Sequence, residues 1–353
     1  MNQSYIDLHL HLDGAITVPI ARKLAALQTL TLPSDDGQTL LSLLSVPSDC
    51  RSLNDFLKCF SLPLSLMQTR EGIREAVRLV QENIRSQGVI YAEIRFAPQL
   101  HCDNGLTQKE VIEAALEGLH ASGLPCNLIL CCMRGADNHE ANMETVKLAR
   151  EYLISSSGTG DPAPDAPDGF PHHPSALPRF GVAALDLAGA EALFPTRDFT
   201  GLFTLARSLG IPFTIHAGEA DGPDSVRCAV EMGAARIGHG VRIAQDPETM
   251  RLVRDRGIFL EMCPTSNRQT LAAEDMSRYP LKQFLEYGIK VTLNTDDMAI
   301  CRTSMPEEFQ YAEQKLGITE SGKKQMLLNA ADAAFTDSNT KELLKAQIKA
   351  AEA

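Results

Sequence analysis

Residues 235–262 read ARIGHGVRIAQDPETMRLVRDRGIFLEM, and this stretch contains a strand, a helix and a second strand in succession. The runs Ala235–His239 and Ile258–Met262 are short and mostly apolar, which is typical of parallel strands that are covered on both faces. Between them, the side chain of Asp246 can cap a helix whose first residue is Pro247. A strand–helix–strand unit of this kind predicts a parallel sheet.

The same alternation extends over the whole chain and predicts an α/β fold, a (β/α)8 barrel of the TIM type. An open doubly wound sheet would need a Gly-x-Gly-x-x-Gly turn after an early strand, and the sequence has none. The eight predicted strands are Tyr5–His9, Val89–Phe96, Cys126–Met133, Gly181–Leu187, Pro212–His216, Ala235–His239, Ile258–Met262 and Lys290–Thr295.

About eighty residues separate the first two predicted strands, which predicts a helical insertion beside the mouth of the barrel. The insertion contains the apolar residues Phe56, Leu57, Phe60 and Leu62. They could line a pocket, but we expect them to pack in the core, which is the more common place for such residues.

Composition and charge restrict the compartment and the partners. The 353 residues include 33 Lys and Arg and 45 Asp and Glu, so the formal net charge is −12. This charge argues against nucleic acid and anionic membranes as partners. No apolar run is long enough to span a bilayer, no secretory signal is visible and no Cys-x-x-Cys pair occurs, so we expect a cytoplasmic protein. We predict a single domain over residues 1–353, with a loop at 155–179, where Pro and Gly are concentrated.

Four of the predicted strands end in His or carboxylate side chains, and in a barrel of this type function lies at the C-terminal ends of the strands. His9 and His11 lie two residues apart on an extended strand and therefore point to the same face. Together with His216 and Asp296 they would form a nitrogen-rich site that suits Zn²⁺ and leaves one position for water. The predicted fourth strand contains no Lys that could bridge two ions, which favours a single metal.

Three further polar residues on the same rim suit hydrolysis. Glu219 follows His216 by three residues, beyond a glycine, where a carboxyl group can transfer a proton near the metal. His239 lies between two glycines and can approach a metal-bound water closely. Asp297 can orient that water or bind substrate. Singly, Gly-His-Gly could be a turn and Asp-Asp a helix cap, but their joint occurrence on one rim favours a catalytic site.

The motifs resemble those of the adenosine deaminase family, within the amidohydrolase superfamily. They occur in the order typical of that family and extend from about residue 5 to residue 335. The chain departs from the family pattern at Ala190, where Asp is common, and at Met298, where Pro is usual, but neither departure removes a chemical group. The matching motifs are HLHLDG at 9–14, SLNDFLK at 52–58, DLAG at 186–189, HAGE at 216–219, GHG at 238–240, CPTSN at 263–267 and NTDD at 294–297.

The resemblance implies zinc-dependent hydrolytic deamination of adenosine and 2′-deoxyadenosine to inosine and 2′-deoxyinosine, with release of ammonia, as in purine salvage. It implies one zinc ion per subunit, held by His9, His11, His216 and Asp296, with His11 also next to the substrate. The partner is then a small purine nucleoside, and neither nucleic acid nor membrane is expected.

The resemblance also implies roles for five other residues. Glu219 would protonate the purine ring at N1, and His239 and Asp297 would hold and activate the attacking water. Asp297 would also contact purine N7. The backbone N–H of Gly189 would contact N3, and Asp13 would bind the ribose 5′-hydroxyl.

Two alternatives remain. The adenine deaminase branch of the family tends to have Glu in place of Asp13 and Leu in place of Thr265, so this chain is more similar to the nucleoside branch; adenine or a modified purine nucleoside is the alternative substrate. A catalytically silent metal-binding barrel is the alternative from another functional class. Such a barrel would be expected to have lost Glu219, His239 or a metal ligand, and this chain has all of them.

Overall fold

The computed structural model describes residues 4–47, 50–154, 180–273 and 275–351. The segment 155–179, predicted above as a loop, lies outside the described residues. Within the described part, eight parallel strands alternate with helices. The strands are β1 (Tyr5–His11), β2 (Val89–Phe96), β3 (Cys126–Met133), β4 (Val182–Ala188), β5 (Thr214–Ala217), β6 (Arg236–His239), β7 (Phe259–Met262) and β8 (Lys290–Leu293).

The eight strands form a closed barrel, as predicted. Strands β1 to β4 are hydrogen-bonded in sequence order, and so are β5 to β8. Single parallel bridges join the two halves, Leu185 to Phe213 between β4 and β5, and Leu10 to Asp296 between β8 and β1. The (β/α)8 fold is therefore confirmed, while a single domain over 1–353 stays a prediction.

Helices surround the barrel, and several begin where the sequence predicts. Thr107 forms a capping box with Glu110, and the side chain of Asp246 accepts hydrogen bonds from the first turn of a helix that starts at Pro247. No helix among the described residues is both long enough and apolar enough to cross a membrane. The helices are α1 (Val18–Leu27), α2 (Gly37–Leu43), α3 (Leu53–Phe56), α4 (Ser61–Ser65), α5 (Arg70–Ser86), α6 (Gln108–Ser122), α7 (His139–Tyr152), α8 (Thr200–Ser208), α9 (Pro223–Met232), α10 (Pro247–Asp255), α11 (Pro264–Gln269), α12 (Leu281–Tyr287), α13 (Met305–Leu316), α14 (Glu320–Ala333) and α15 (Ser338–Ala350).

The predicted helical insertion is present, because α1 to α5 lie between β1 and β2. The expected position of its apolar residues needs a partial correction. Leu62 packs against the core, and Phe56 and Phe60 pack in a small apolar cluster, but Phe56, Leu57 and Phe60 also line the cavity at the barrel mouth. The correction has a physical reason. Residues 53–65 fold as three consecutive single turns rather than one long helix, and so present apolar side chains on more than one side.

The inside of the barrel, below its mouth, contains buried charges that pair with one another. Arg95 donates to Asp186 and to Glu261, each at 2.9 Å. Arg236 lies 2.5 Å from Glu261 and 2.6 Å from Glu93. All five residues are fully buried. Removal of one partner would leave an uncompensated buried charge, which typically costs about 3–5 kcal/mol, so the network holds these carboxylates firmly below the rim.

Candidate active site and metal centre

Four side chains from three places in the sequence converge at the C-terminal rim of the barrel. His9 and His11 come from β1, His216 from β5, and Asp296 from the turn after β8. One donor atom from each lies within 4.8 Å of all the others. The Oδ1 atom of Asp296 is 3.1 Å from His9 Nε2 and 3.4 Å from His11 Nε2, and His11 Nε2 is 3.2 Å from His216 Nε2. The structure thus brings together all four predicted metal ligands.

The geometry around these residues fits a bound cation. The Nδ1 atom of His9 lies 2.7 Å from Glu261, and that of His216 lies 2.9 Å from Asp186. These carboxylates orient both rings so that Nε2 faces the cluster, an arrangement common around metal-binding histidines. His9 Nε2 is buried and has no hydrogen-bond partner among the described residues. Since a buried polar nitrogen needs a partner, a metal ion at this position would satisfy it.

Electrostatics keep these ligands in the form that binds a metal. Burial lowers the pKa of His11 well below its usual value, so the ring is neutral. Burial by itself would raise the pKa of Asp296, but the neighbouring imidazoles, first that of His9, hold this pKa well below its usual value. Three imidazoles and one carboxylate form a donor set that zinc prefers.

Two residues of the site have a strained backbone. His239 has a φ of +66° and Asp296 a φ of +61°, in the left-handed region that costs non-glycine residues of order 1–3 kcal/mol. The Asp296 N–H donates to the carbonyl of His9 and its carbonyl accepts from the His11 N–H, both at 2.8 Å. These bonds to β1 hold Asp296 in its conformation. β8 itself ends at Leu293, two residues before the predicted end at Thr295.

Glu219 and His239 lie beside the four-residue cluster. Glu219 Oε2 is 3.6 Å from His239 Nε2, which is 3.9 Å from Asp296 Oδ2. The other carboxylate oxygen of Glu219, Oε1, accepts a hydrogen bond from the hydroxyl of Thr270 at 2.9 Å. One oxygen of Glu219 is therefore occupied by a neutral donor, and the other faces the site.

The hydrogen bonds of His239 determine which of its nitrogens carries a proton. Tyr279 donates its hydroxyl to Asn267 Oδ1 at 2.7 Å, so the amide nitrogen of Asn267 is the atom that lies 3.0 Å from His239 Nδ1. An amide nitrogen is a donor, and Nδ1 must then be the acceptor. A neutral His239 consequently has its proton on Nε2, the atom that faces the cluster.

Asp297 and Asp13 are buried in the same acidic surroundings. Burial, followed by the charges of Asp296 and Asp13, raises the pKa of Asp297 well above its usual value. Burial raises the pKa of Asp13 to about 6. Asp297 Oδ1 has no partner among the described residues, and a Cβ on Gly14 would lie 1.8 Å from it. Gly14 is thus required for Asp297 to occupy this position.

A cavity of about 200 Å³ joins these groups to the barrel mouth. The helical insertion supplies one apolar wall, and the ends of β2, β3 and β4 supply another. Gly189, the predicted backbone donor, lines the cavity directly after β4. All nine predicted site residues except His9 line the cavity. The lining residues are His11, Asp13, Leu53, Phe56, Leu57, Phe60, Leu64, Ala97, Leu100, Cys131, Met133, Ala188, Gly189, His216, Glu219, His239, Ser266, Thr270, Asp296 and Asp297.

Sequence reasoning missed several residues that support the site. Glu261 was part of a predicted apolar strand. Gln269-Thr270 resembles the nucleoside branch of the family, but neither Thr270 nor Tyr279 was predicted to have a role in the site. A charged residue inside a strand that is covered on both faces is a signal that could have found Glu261, because such a charge needs a buried partner.

Comparisons with known sequences point to one family. A sequence model of the adenosine deaminase family matches residues 5–179 and 175–351. An adenosine deaminase of Haemophilus ducreyi is 43% identical over 349 residues, which cover 98% of this chain and 95% of that protein.

Two solved structures share the fold. An adenine deaminase from Arthrobacter aurescens superposes with a TM-score of 0.83 at 22% identity, covering 99% of this chain and 98% of the other. An amidohydrolase from Burkholderia ambifaria with bound Zn superposes with a TM-score of 0.79 at 21% identity, covering 99% and 90%.

Proposed function

The chain belongs to the adenosine deaminase family and deaminates adenosine by hydrolysis, and we propose that it does so with one zinc ion and the rim residues described above. The reaction converts adenosine or 2′-deoxyadenosine to inosine or 2′-deoxyinosine and releases ammonia. The observation that carries the residue assignments is the convergence of a three-imidazole, one-carboxylate cluster with Glu219 and His239 on one cavity.

Zinc is the metal that the donor set favours. His9, His11, His216 and Asp296 would hold it, and the amidohydrolase with bound Zn supports the assignment by its fold. When bound, the ion lowers the pKa of a water molecule to about 7 and so supplies a hydroxide nucleophile for purine C6 at neutral pH. Glu261 and Asp186 orient two of the imidazoles, so that the ligands are in place before the ion binds.

Glu219 is proposed as the general acid. Its Oε1 accepts from Thr270, so Oε2, the oxygen that faces the cluster, is the one that would carry the transferred proton. From there it would be transferred to purine N1, which allows the ring to accept electrons as C6 is attacked. His239, with its proton on Nε2, and Asp297 would hold the attacking water.

The cavity favours a nucleoside over a nucleotide. Among the described residues that line it there is neither Lys nor Arg, and the carboxyl group of Asp13 is exposed to its interior. A 5′-phosphate would meet acidic groups, whereas a ribose 5′-hydroxyl can donate a hydrogen bond to Asp13. The Gly189 N–H would contact purine N3, and the apolar wall formed by Phe56 and Phe60 suits the uncharged faces of the substrate.

The compartment is part of the same proposal. All nine cysteines are free thiols in the structure, six of them buried, and a reducing compartment maintains that state. We place the activity in the cytoplasm, with a free purine nucleoside as its partner.

A substrate panel on protein of measured metal content tests the proposal. Adenosine, 2′-deoxyadenosine, adenine and AMP are compared by loss of absorbance near the adenine maximum and by ammonia release. We expect kcat/KM to be highest for the two nucleosides and lowest for AMP. No turnover of adenosine by the zinc-loaded protein would refute the assignment. A preference for adenine would show that the chain belongs to the adenine deaminase branch of the family.

A further inference from the structure

A buried carboxylate outside the catalytic cluster binds the turn that carries Glu219. Glu191 lies just after β4 and is 1% exposed. Its two oxygens accept hydrogen bonds from four consecutive backbone N–H groups of the turn after β5 and from the hydroxyl of Ser225. The donors are Gly218 at 2.7 Å, Glu219 at 3.0 Å, Ala220 at 2.6 Å, Asp221 at 3.0 Å and Ser225 at 2.6 Å.

The conformation of the turn directs these N–H groups to one point. Gly218 has a φ of +72°, and a Cβ at that position would lie 2.8 Å from Val226 Cγ2, so the residue has to be glycine. Successive N–H groups in such a turn form a concave anion-binding site. Burial by itself would raise the pKa of Glu191, but Arg134 and the hydrogen bonds from Ser225, Ala220 and Asp221 hold it below its usual value. The anion in this site is therefore part of the chain.

The same turn is held from other sides. Arg242 donates its Nε hydrogen to the carbonyl of Glu219 at 2.7 Å, and Arg134 donates to the carbonyl of His216 at 2.6 Å. Glu191 thus fixes the N–H of Glu219, and Arg242 fixes its carbonyl. With Oε1 bound to Thr270, the backbone and one carboxylate oxygen of Glu219 are all held in place.

We propose that Glu191 is a positioning residue for the deamination reaction: it fixes the backbone of residues 218–221 so that Oε2 of Glu219 stays where the proton is delivered. The inference rests on the proposed acid role of Glu219. All five partners of Glu191 are donors, so the position requires two acceptor oxygens. An amide there would direct its own N–H groups at backbone N–H groups.

The substitution Glu191→Gln keeps the shape of the side chain and removes one acceptor. Because a displacement of about 1 Å can cost roughly 100-fold in rate, we expect kcat to fall by roughly 10- to 100-fold, while KM changes less than about threefold and bound zinc stays at the wild-type level. Glu231→Gln on α9, which replaces an exposed carboxylate, is the matched control and keeps the wild-type kcat. A Glu191→Gln protein with kcat within twofold of wild type overturns the inference.

A double-mutant cycle separates positioning from a general structural role. If Glu191 acts through Glu219, then adding Glu191→Gln to Glu219→Gln changes the residual kcat by less than about twofold, because the group that it positions is already gone. Residual turnover is followed over hours by chromatography of adenosine and inosine. A further loss in the double variant equal to that of Glu191→Gln alone overturns the inference.

A milder variant keeps the test valid if Glu191→Gln does not fold. Ser225→Ala removes one of the five donors and leaves the four backbone donors in place. We expect a two- to fivefold fall in kcat with unchanged KM, and an unchanged kcat counts against the inference. Failure of the wild-type protein to deaminate adenosine would refute the proposed function itself. If the wild type is active and the Glu191 and Ser225 variants have the same kcat, only the positioning role is refuted.

Discussion

Replacement of Glu308 by Gln should change how the stability of the protein depends on pH. Glu308, on α13, is fully buried beside the loops that follow β7 and β8. Its carboxyl oxygens accept hydrogen bonds from the Thr303 hydroxyl at 2.6 Å and from the Thr265 N–H at 3.3 Å. Burial is the largest influence and raises the pKa of Glu308 from 4.5 to about 7.

The sign of the effect follows from which state loses its proton first. In the unfolded chain Glu308 ionises near pH 4.5, and in the folded chain only near pH 7, so between these values the unfolded state gains more from ionisation. Ionisation of the carboxyl group consequently has no effect on stability below pH 4.5, and it destabilises the fold increasingly between pH 4.5 and pH 7. At 1.36 kcal/mol for each pKa unit, the full penalty is about 3 kcal/mol, reached above pH 7.

Urea unfolding at pH 5 and pH 8 measures this penalty, with all proteins at the same metal content. The unfolding free energy of Glu308→Gln relative to wild type should be higher at pH 8 than at pH 5 by about 2.5 kcal/mol. Gln loses the same hydrogen bonds at both pH values. Their contribution to the unfolding free energy therefore cancels when the two pH values are compared. Glu307→Gln, at the exposed neighbouring position, should follow the wild-type pH dependence. Equal pH dependence of wild type and Glu308→Gln would refute the reasoning.

Three other substitutions test the catalytic assignments. Glu219→Gln should retain zinc and lose about 10²- to 10⁴-fold in kcat, since it removes the general acid; metal analysis with steady-state kinetics measures both, and an active variant contradicts the role. Asp13→Ala should raise KM for adenosine much more than for adenine, which has no ribose, and equal changes would argue against the ribose contact. Thr270→Val removes the hydrogen bond that Oε1 of Glu219 accepts, worth about 0.5–1.5 kcal/mol, and should lower kcat by about two- to tenfold at unchanged zinc content; wild-type kcat would show that Oε1 of Glu219 needs no partner.

The barrel could be predicted because its strands have sharp apolar boundaries. Val89–Phe96 and Cys126–Met133 were predicted with the bounds that the structure shows. The errors occur where backbone hydrogen bonds decide the end of a strand. The fifth strand begins at Thr214 rather than Pro212, since proline has no N–H to donate to the ladder.

The sequence predicted only those parts of the site that depend on the type and position of side chains. The alternation of His9 and His11 on a strand, and the placement of other polar residues at strand ends, were enough to bring the metal ligands together. Glu191 could not be found in this way, because four of its five partners are backbone N–H groups. Every sequence has such groups, and only the folded turn directs them to one carboxylate.

Several of the acidic residues that give the chain its negative charge lie together at the barrel mouth. Asp13, Glu219, Asp296 and Asp297 line one cavity, and burial together with their mutual repulsion raises the pKa of Asp13 and Asp297. A divalent cation among the imidazoles would offset part of this negative charge, and the remainder would repel phosphate groups. Metal binding and selection of an uncharged nucleoside thus use different members of one cluster of carboxylates: loss of Asp296 should lower metal affinity, and loss of Asp13 should weaken discrimination against AMP.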